Sequence, residues 1–206
     1  YFTRILVRSE NHGEDWQVVD TKINNHYFVG FHPNDPNLVY AGDRISTNGG
    51  LTFSGIGSMP DGATDAQIFN YCNSNPDTVY ALSKSKDTIY RSDDRGSSWI
   101  LYNKPGWDLF IFDSVATISA DPHDCNRFWT VAGDGDITVC NATTCRDGNI
   151  LDNIPGIESA NFIRGIALDP REEGKGIVYA GTFLGGMENV WRSQDRTRQG
   201  SICTLQ

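Results

Sequence analysis

The sequence has no apolar run close to the roughly 18 residues that a membrane-spanning helix needs. Basic residues are also few, since 17 Lys and Arg stand against 26 Asp and Glu and give a formal net charge of −9. This acidity argues against nucleic-acid partners and anionic lipid surfaces, which attract clustered cations. None of the 5 cysteines lies in a CxxC pair, so neither a zinc site nor a thioredoxin-like motif is expected.

Glycine and aromatic residues are plentiful. The chain has 21 Gly, and Phe, Trp and Tyr make up 11% of its residues, a mixture typical of short strands joined by tight turns. Tyr1 stands where Met would open a complete chain, so we expect either a removed leader or a piece of a longer protein. The cysteine usage favours an oxidising, secreted location over buried free thiols.

One eight-residue pattern occurs three times. Ser9–Trp16 reads S-x-N-x-G-x-x-W, Ser46–Phe53 reads S-x-N-x-G-x-x-F, and Ser92–Trp99 reads S-x-D-x-G-x-x-W. The residues that define the three copies are Ser9, Asn11, Gly13, Trp16, Ser46, Asn48, Gly50, Phe53, Ser92, Asp94, Gly96 and Trp99. We call this the eight-residue repeat, and its recurrence predicts a repeat architecture.

Two further segments lie where the spacing of the eight-residue repeat would place additional copies. Residues 191–195 begin the pattern, but the Gly and Trp that should follow are missing. Ile137–Cys145 lies at the position expected for a copy between Ser92–Trp99 and residues 191–195. There we expect a Cys140–Cys145 disulfide to close the turn, while the pairing of Cys72, Cys125 and Cys203 stays open. The sequon that begins at Asn141 predicts N-glycosylation at that residue.

A second motif runs in phase with the first. Val39-Tyr40-Ala41-Gly42 is matched by Val79-Tyr80-Ala81 and by Val178-Tyr179-Ala180-Gly181, each after a turn rich in Pro, Asn or Asp. The unit is therefore strand, turn, strand, hairpin, strand, repeat turn, strand. Four strands in about 46 residues are typical of a β-propeller blade.

The eight-residue repeat resembles the Asp box, or BNR repeat, of sialidases, xyloglucan-active glycoside hydrolases, sortilin-type Vps10 receptors and photosystem assembly factors. The V-Y-A-G strand followed by R-S-x-D-x-G-x-x-W is most similar to the sortilin and xyloglucanase branch. The resemblance implies an all-β propeller of four-stranded antiparallel blades with Asp-box turns. We expect about 4.5 blades: a half blade at 1–25, then blades at about 26–60, 61–106, 107–155 and 156–206.

The half blade supplies a third and a fourth strand, and the chain also ends on a third and a fourth strand. A propeller closes by combining first and last strands within one blade. We therefore expect a larger ring, a second chain that completes it, or an open edge.

The repeat residues have a structural explanation. Ser and Asx side chains bond the N–H groups of a tight turn, Gly allows a positive φ, and the aromatic ring folds beneath the turn and is buried. We therefore assign them no catalytic role.

Candidate chemistry lies in other loops. In the xyloglucanase family the acids are carried in T-D-I-G-G and G-D-I-G-G stretches, and the comparable places here hold Asp43 and Asp134 without reproducing either motif. Those two are the catalytic candidates, because glycoside hydrolysis needs paired carboxylates. Asp136 and Trp107 are the candidate ligand-binding residues. We predict no metal site and no cofactor.

The interpretation we favour is a secreted, non-catalytic module or scaffold that binds a glycan or an extracellular protein. The alternatives are a segment of a glycoside hydrolase acting on a β-glucan such as xyloglucan, a sortilin-type receptor, and a self-assembling extracellular structural protein. Expected partners are a glycan or extracellular protein, other copies of the chain, or missing blades, with no nucleic acid and no membrane insertion.

Overall fold

The computed structural model describes residues 4–23, 28–83, 85, 88–103, 118–131, 137–147, 163–171, 177–184, 187–193 and 202–204. All regular elements in these ranges are β-strands, and none is a helix able to cross a membrane. The strands are β1 Leu6–Arg8, β2 Gln17–Asp20, β3 Val29–His32, β4 Asp35–Ala41, β5 Arg44–Ser46, β6 Ser54–Gly55, β7 Gln67–Cys72, β8 Asn75–Ser83, β9 Thr88–Ser92, β10 Ile100–Asn103, β11 Ile118–Ala120, β12 Phe128–Val131, β13 Ile137–Cys140, β14 Cys145–Asp147, β15 Ile163–Leu168, β16 Val178–Leu184, β17 Met187–Ser193 and β18 Ile202–Thr204.

The strands pair in chain order. β1 and β2 form a two-stranded sheet, and four sheets of four strands follow, made of β3–β6, β7–β10, β11–β14 and β15–β18. Consecutive strands joined by short turns must run antiparallel, as in the β3–β4 and β12–β13 pairs. The predicted all-β fold of four-stranded antiparallel blades, preceded by a half blade, is confirmed.

The chain divides into two compact units. The first unit comprises residues 1–71 and 76–102, and the second comprises residues 72–75 and 103–206. In the first unit the eight-residue repeats form the turns β1–β2, β5–β6 and β9–β10.

The V-Y-A strands form the core of the first unit. Val39, Tyr40 and Ala41 in β4 are buried, as are the matching residues of β8. Successive strand residues point to opposite faces of a sheet, so a run of buried neighbours means that both faces are covered. Tyr40 keeps a polar contact there, because its hydroxyl donates to the Arg95 carbonyl at 3.3 Å. Both faces of these strands are therefore covered along their V-Y-A residues.

The second unit holds two disulfides. Cys72 bonds to Cys125, and Cys140 bonds to Cys145, its directly paired residue across β13 and β14. The first pairing was left open by the sequence, and the second closes the turn where no eight-residue repeat is present. Closing the larger loop removes more chain entropy from the unfolded state, about 4 kcal/mol against about 2 for the small one.

A buried aspartate begins a matching turn in each of two sheets of the second unit. Asp121 accepts the His123 N–H at 2.9 Å and pairs with Arg127 at 2.6 Å. Asp169 accepts the Arg171 N–H at 3.1 Å and pairs with the Arg171 guanidinium at 2.6 Å. Each carboxylate is thus used to hold a Pro-containing turn.

Candidate functional site

The three eight-residue repeats share one hydrogen-bond pattern. The Ser hydroxyl oxygen accepts the N–H of the repeat glycine at 2.8, 2.9 and 2.7 Å in the first, second and third copies. The same hydroxyl donates to the Asx side-chain oxygen, which in turn accepts the N–H four residues further on. These bonds satisfy part of the backbone of a sharp turn from within the turn itself. In the second and third copies another strand adds a bond, from the Gly49 N–H to the Asn37 carbonyl and from the Arg95 N–H to the Asp77 carbonyl.

Two successive residues in each repeat have a left-handed backbone. The repeat glycines have φ values of 91°, 83° and 90°. The residue before each glycine also has a positive φ: His12 at 59°, Gly49 at 70° and Arg95 at 63°. Only glycine adopts this region freely, so His12 and Arg95 are held there by the turn. The sequence pattern predicted the positive φ of the repeat glycine, but not the positive φ of the residue before it.

Arg95 also organises the end of the first unit that carries the repeats, which we call the turn end. Its backbone N–H donates to the Asp77 carbonyl at 2.9 Å, and its guanidinium lies 2.7 Å from Asp77 and 3.5 Å from Asp35. The hydrogen bond to Asp77 raises the pKa of Arg95. Buried His32 lies beside this pair, with Nε2 3.4 Å from the Asp77 carboxylate.

A groove of about 390 Å³ opens at the turn end. It lies between the β5–β6 segment and the third repeat, and its lining comprises Asp35, Leu38, Ile45, Thr47, Ser54, Gly55, Ile56, Gly57, Asp94, Arg95, Gly96 and Ser97. The floor is aliphatic, and the rim carries hydroxyls, carboxylates and one guanidinium. Such a mixture suits a polar ligand with some apolar surface.

Asp43 is the predicted catalytic residue that the structure describes. It lies in the β4–β5 hairpin, which antiparallel pairing places at the opposite end of the sheet from the repeat turns. Its backbone carbonyl accepts the Ile56 N–H at 3.2 Å, and Gly42 beside it bonds both Phe28 and Ile68. The side chain is half-buried. Asp134, Asp136 and Trp107 lie outside the described residues, so the structure brings no second predicted residue to Asp43.

Two carboxylates near this hairpin end were missed by the sequence reasoning. Asp65 accepts hydrogen bonds from the Ser83 hydroxyl and from the Ser85 N–H and hydroxyl. Burial opposes its charge, but these bonds outweigh burial and lower its pKa. Asp61 accepts the Tyr90 hydroxyl at 2.7 Å, and burial together with this bond raises the pKa of Tyr90. No sequence motif marks either aspartate, because Ser83, Ser85 and Tyr90, which bond them, are 18 or more residues away.

Asp20 is likewise held in its charged form by hydrogen-bond donors. Burial opposes its charge, but a hydrogen bond from Arg44 and one from the Lys22 N–H lower its pKa. A general acid for glycoside hydrolysis needs the reverse, a raised pKa. Within the described ranges, no three His, Cys, Asp or Glu side chains converge in a way that would hold a metal ion.

The comparisons with known proteins show the fold. No family model and no curated protein matches the chain. Solved structures do match, among them the GH74 xyloglucanase from Xanthomonas campestris, with a TM-score of 0.67 and 16% identity over 100% of this chain and 34% of that one. The Niastella koreensis GH74 enzyme matches with a TM-score of 0.61 and 17% identity, over 97% of this chain and 28% of that one.

A third match is YCF48 bound to D1 peptide, with a TM-score of 0.62 and 14% identity, over 98% of this chain and 63% of that one. The chain thus spans about a third of the xyloglucanase and less than two thirds of YCF48. At these identities the likeness establishes the architecture, which hosts many functions. The chain has the β-propeller fold.

Proposed function

We propose that the protein is a non-catalytic binding or scaffold module that holds a glycan or an extracellular protein segment in the groove at its turn end. The observation that carries this proposal is how the buried and half-buried carboxylates are used. Asp20, Asp65, Asp121 and Asp169 are each held by hydrogen-bond donors that fix a turn or a neighbouring strand. Carboxylates engaged in this way are suited to structure and not to proton transfer.

We also propose that the eight-residue repeats are Asp boxes of the branch that includes sortilin-type receptors and xyloglucanases. Their serine, Asx and glycine contacts have the structural role expected for that motif. The peptide-bound YCF48 structure supports a binding role, since it is a protein of this architecture with a peptide ligand. A polypeptide or glycan chain is the ligand class that fits a groove with a hydroxyl-bearing rim.

The proposed location is outside the cell. Two disulfides in one chain favour an oxidising compartment. Asn141 is exposed at the tip of the disulfide-closed turn, where its side-chain oxygen accepts the N–H groups of Thr143 and Thr144. That position leaves room for a glycan, and we propose that Asn141 carries one.

The test is to fill the groove. Ser97→Trp places an indole at its rim, and Glu14→Trp makes the same change at the matching position of the first repeat, away from the groove. Each variant and the parent protein are titrated with a xyloglucan oligosaccharide by calorimetry. We expect binding by the parent and by Glu14→Trp and its loss in Ser97→Trp. Equal binding by both variants would remove the groove from the proposal.

The second candidate is a segment of a glycoside hydrolase, favoured by the structural match to two GH74 enzymes. It assigns Asp43 and Asp134 to the acid and base roles, with Asp136 and Trp107 contacting the sugar. Incubation with xyloglucan, followed by measurement of new reducing ends, tests it. Cleavage that falls at least a hundredfold in Asp43→Asn would favour the hydrolase, since general acid–base catalysis contributes about that much or more. Binding without cleavage would favour the module.

A further inference from the structure

The groove at the turn end is bounded by two consecutive sheets of the first unit. The β5–β6 segment forms one wall, and the third repeat, which follows β9, forms the other. The indole N–H of Trp99 donates to the Ile56 carbonyl at 2.9 Å, so the third repeat meets the end of the preceding sheet there. Both walls are thus supplied within the first unit, by residues between 35 and 57 and by residues 94–97.

One wall of the groove is the edge of a sheet. β6 is the last strand of the β3–β6 sheet, and Gly55 in it lies opposite Arg44 in β5. The next N–H along the chain, that of Ile56, donates to the Asp43 carbonyl at 3.2 Å. Backbone groups alternate in direction along an antiparallel strand. The Ile56 N–H therefore faces β5, and the N–H and carbonyl of Gly55 point away from it.

The backbone at this edge is accessible to a second chain. Gly55 and Gly57 both line the groove, and without side chains they do so with their main-chain atoms. Among the described residues, a Cβ built on Gly55 meets only the Arg44 guanidinium, at 3.6 Å, and one built on Gly57 meets nothing within 4 Å. Another backbone can approach such a glycine closely. An extended polypeptide fits this edge, because it offers a carbonyl and an N–H to the outward groups of Gly55.

The charges at the rim favour a basic ligand. The charged residues of the lining are Asp35, Asp94 and Arg95, two carboxylates against one guanidinium. The Arg95 guanidinium is already engaged, since it lies 2.7 Å from Asp77 and 3.5 Å from Asp35. Hydrogen bonds from the hydroxyl and the N–H of Ser98 lower the pKa of Asp94, so its exposed carboxylate is charged at neutral pH. A Lys or Arg side chain complements this rim.

We propose that the ligand of the groove is an extended, basic segment of another protein, which pairs with Gly55 as a fifth strand of the β3–β6 sheet. This inference rests on the proposed binding function and deepens it by naming the ligand class. The segment accepts the Gly55 N–H and donates to the Gly55 carbonyl, and its Lys or Arg lies at the carboxylates of Asp35 and Asp94. A volume of about 390 Å³ is small for a ligand site, so it holds only a few residues.

The first experiment compares two substitutions at one position of the 206-residue chain. Gly55→Ala keeps the backbone N–H, and its methyl group lies at an ordinary contact distance from Arg44. Gly55→Pro removes the N–H, which an edge strand tolerates where that group faces away from the sheet. Each variant and the parent are titrated by fluorescence anisotropy with a labelled, end-capped peptide of alternating Lys and Val.

We expect Gly55→Ala to bind this peptide as the parent does. Gly55→Pro should bind it at least tenfold more weakly, because one hydrogen bond is lost and the peptide carbonyl is left unpaired. Far-UV circular dichroism verifies that both variants are folded. Equal binding by Gly55→Ala and Gly55→Pro would overturn the proposal.

A second comparison changes the peptide and leaves the protein as it is. The same peptide methylated on its backbone nitrogens keeps its charge and loses its N–H groups, whereas a peptide of alternating Glu and Val keeps the N–H groups and reverses the charge. We expect both to bind at least tenfold more weakly than the Lys and Val peptide. Equal binding of the methylated and unmethylated peptides would show that charge alone acts, and would overturn the strand pairing.

The rim charge has a conservative variant. Asp94→Asn removes one carboxylate and keeps the turn, because Asn11 and Asn48 hold the same place in the other two repeats. It should weaken binding of the Lys and Val peptide about two- to fivefold, as loss of an exposed ion pair does, and reduce its dependence on salt. Unchanged affinity and unchanged salt dependence would remove the basic residue from the proposal.

Hydrogen exchange locates the contact. The Gly55 amide should gain protection when the Lys and Val peptide is added, while the Ile56 amide, already bonded to the Asp43 carbonyl, should not change. The effect of Ser97→Trp on oligosaccharide binding tests the proposed function separately. If that variant loses the xyloglucan oligosaccharide and the parent does not bind the peptide, the groove is a glycan site and this inference is wrong. If the parent binds neither ligand, both proposals fail.

Discussion

The first and third repeats carry the same pattern and make the same turn, yet their tryptophans differ in exposure by 60% against 8%. Ser9 and Ser92 bond the glycine N–H at nearly equal distances, and Gly13 and Gly96 have nearly equal φ values. The difference lies outside the turn, where the third repeat meets the end of a preceding sheet. Local sequence determines the shape of the turn, whereas the neighbouring sheet determines how much the turn contributes to stability.

The largest effect should come from removing the two rings. Trp99→Ala deletes a buried aromatic side chain and leaves the Ile56 carbonyl unpaired, so we expect a loss of about 3–5 kcal/mol in the free energy of unfolding. Trp16→Ala should cost about 1 kcal/mol or less, because an exposed ring leaves little cavity. Urea unfolding followed by circular dichroism measures both. Equal losses would mean that the two rings are buried alike.

The next effect separates backbone strain from packing. Gly13→Ala places a Cβ at positive φ and should cost about 1–2 kcal/mol. Gly96→Ala adds a Cβ 2.8 Å from the terminal methyl of Ile45, which has to shift, so overpacking adds about 1 kcal/mol to the same strain. Thermal or urea unfolding of the pair gives the difference. The double variant Gly96→Ala with Ile45→Val should recover part of the added loss, and no recovery would contradict the packing explanation.

The serine hydroxyls should show a smaller difference. Ser92 is fully buried, and Ser92→Ala strands the Gly96 N–H away from water at a cost of about 1–3 kcal/mol. Ser9 is half-buried, and water can replace its hydroxyl, so Ser9→Ala should cost about 1 kcal/mol or less. Native-state hydrogen exchange of the two glycine amides gives a residue-specific measure. Similar acceleration at both glycines would be the contrary result.

The smallest effect is a pH dependence confined to the third repeat. Hydrogen bonds from the Ser98 hydroxyl, the Ser98 N–H and Ser92 lower the pKa of Asp94 below its ordinary value of 3.8. The folded state therefore favours the charged form, and this stabilisation is present above pH 3.8 and is lost as the pH falls through the lowered pKa.

Asn11 holds the matching place in the first repeat and does not titrate. Asp94→Asn should remove part of the loss of stability in acid. Asn11→Asp should not reproduce the Asp94 behaviour, because it places a second carboxylate beside Asp15, to which the Asn11 amide donates at 2.9 Å. Unfolding midpoints measured from neutral pH to below 3.8 give the comparison. An unchanged acid profile in Asp94→Asn would show that this carboxylate does not contribute.

The sequence predicted the sheets because their signals are local. The V-Y-A-G strands and the repeats recur at short range, and the structure has the V-Y-A residues in strands and the repeats in turns. The Cys72–Cys125 bond was not predictable, since its cysteines are 53 residues apart and any of three pairings among Cys72, Cys125 and Cys203 was possible. The predicted burial of the repeat aromatic was wrong for Trp16, because burial depends on a neighbouring sheet that the pattern does not specify.

The candidate site was less predictable than the fold. Asp43 was found through its place after V-Y-A-G, but the groove is formed by residues from 35 to 97, only some of which belong to the eight-residue repeats. Asp61 and Asp65 are bonded by Tyr90, Ser83 and Ser85, which lie 18 or more positions away. Spatial convergence of this kind is a property of packing, and a single sequence carries no record of it.

The central claim is that the turn is local and the burial of its tryptophan is not. Hydrogen exchange measured by NMR tests both parts at once. We predict that the Gly13 and Gly96 amides are both protected, and that the indole N–H of Trp99 exchanges far more slowly than that of Trp16. Equal protection of the two indoles, or an unprotected Gly13 amide beside a protected Gly96 amide, would contradict the account.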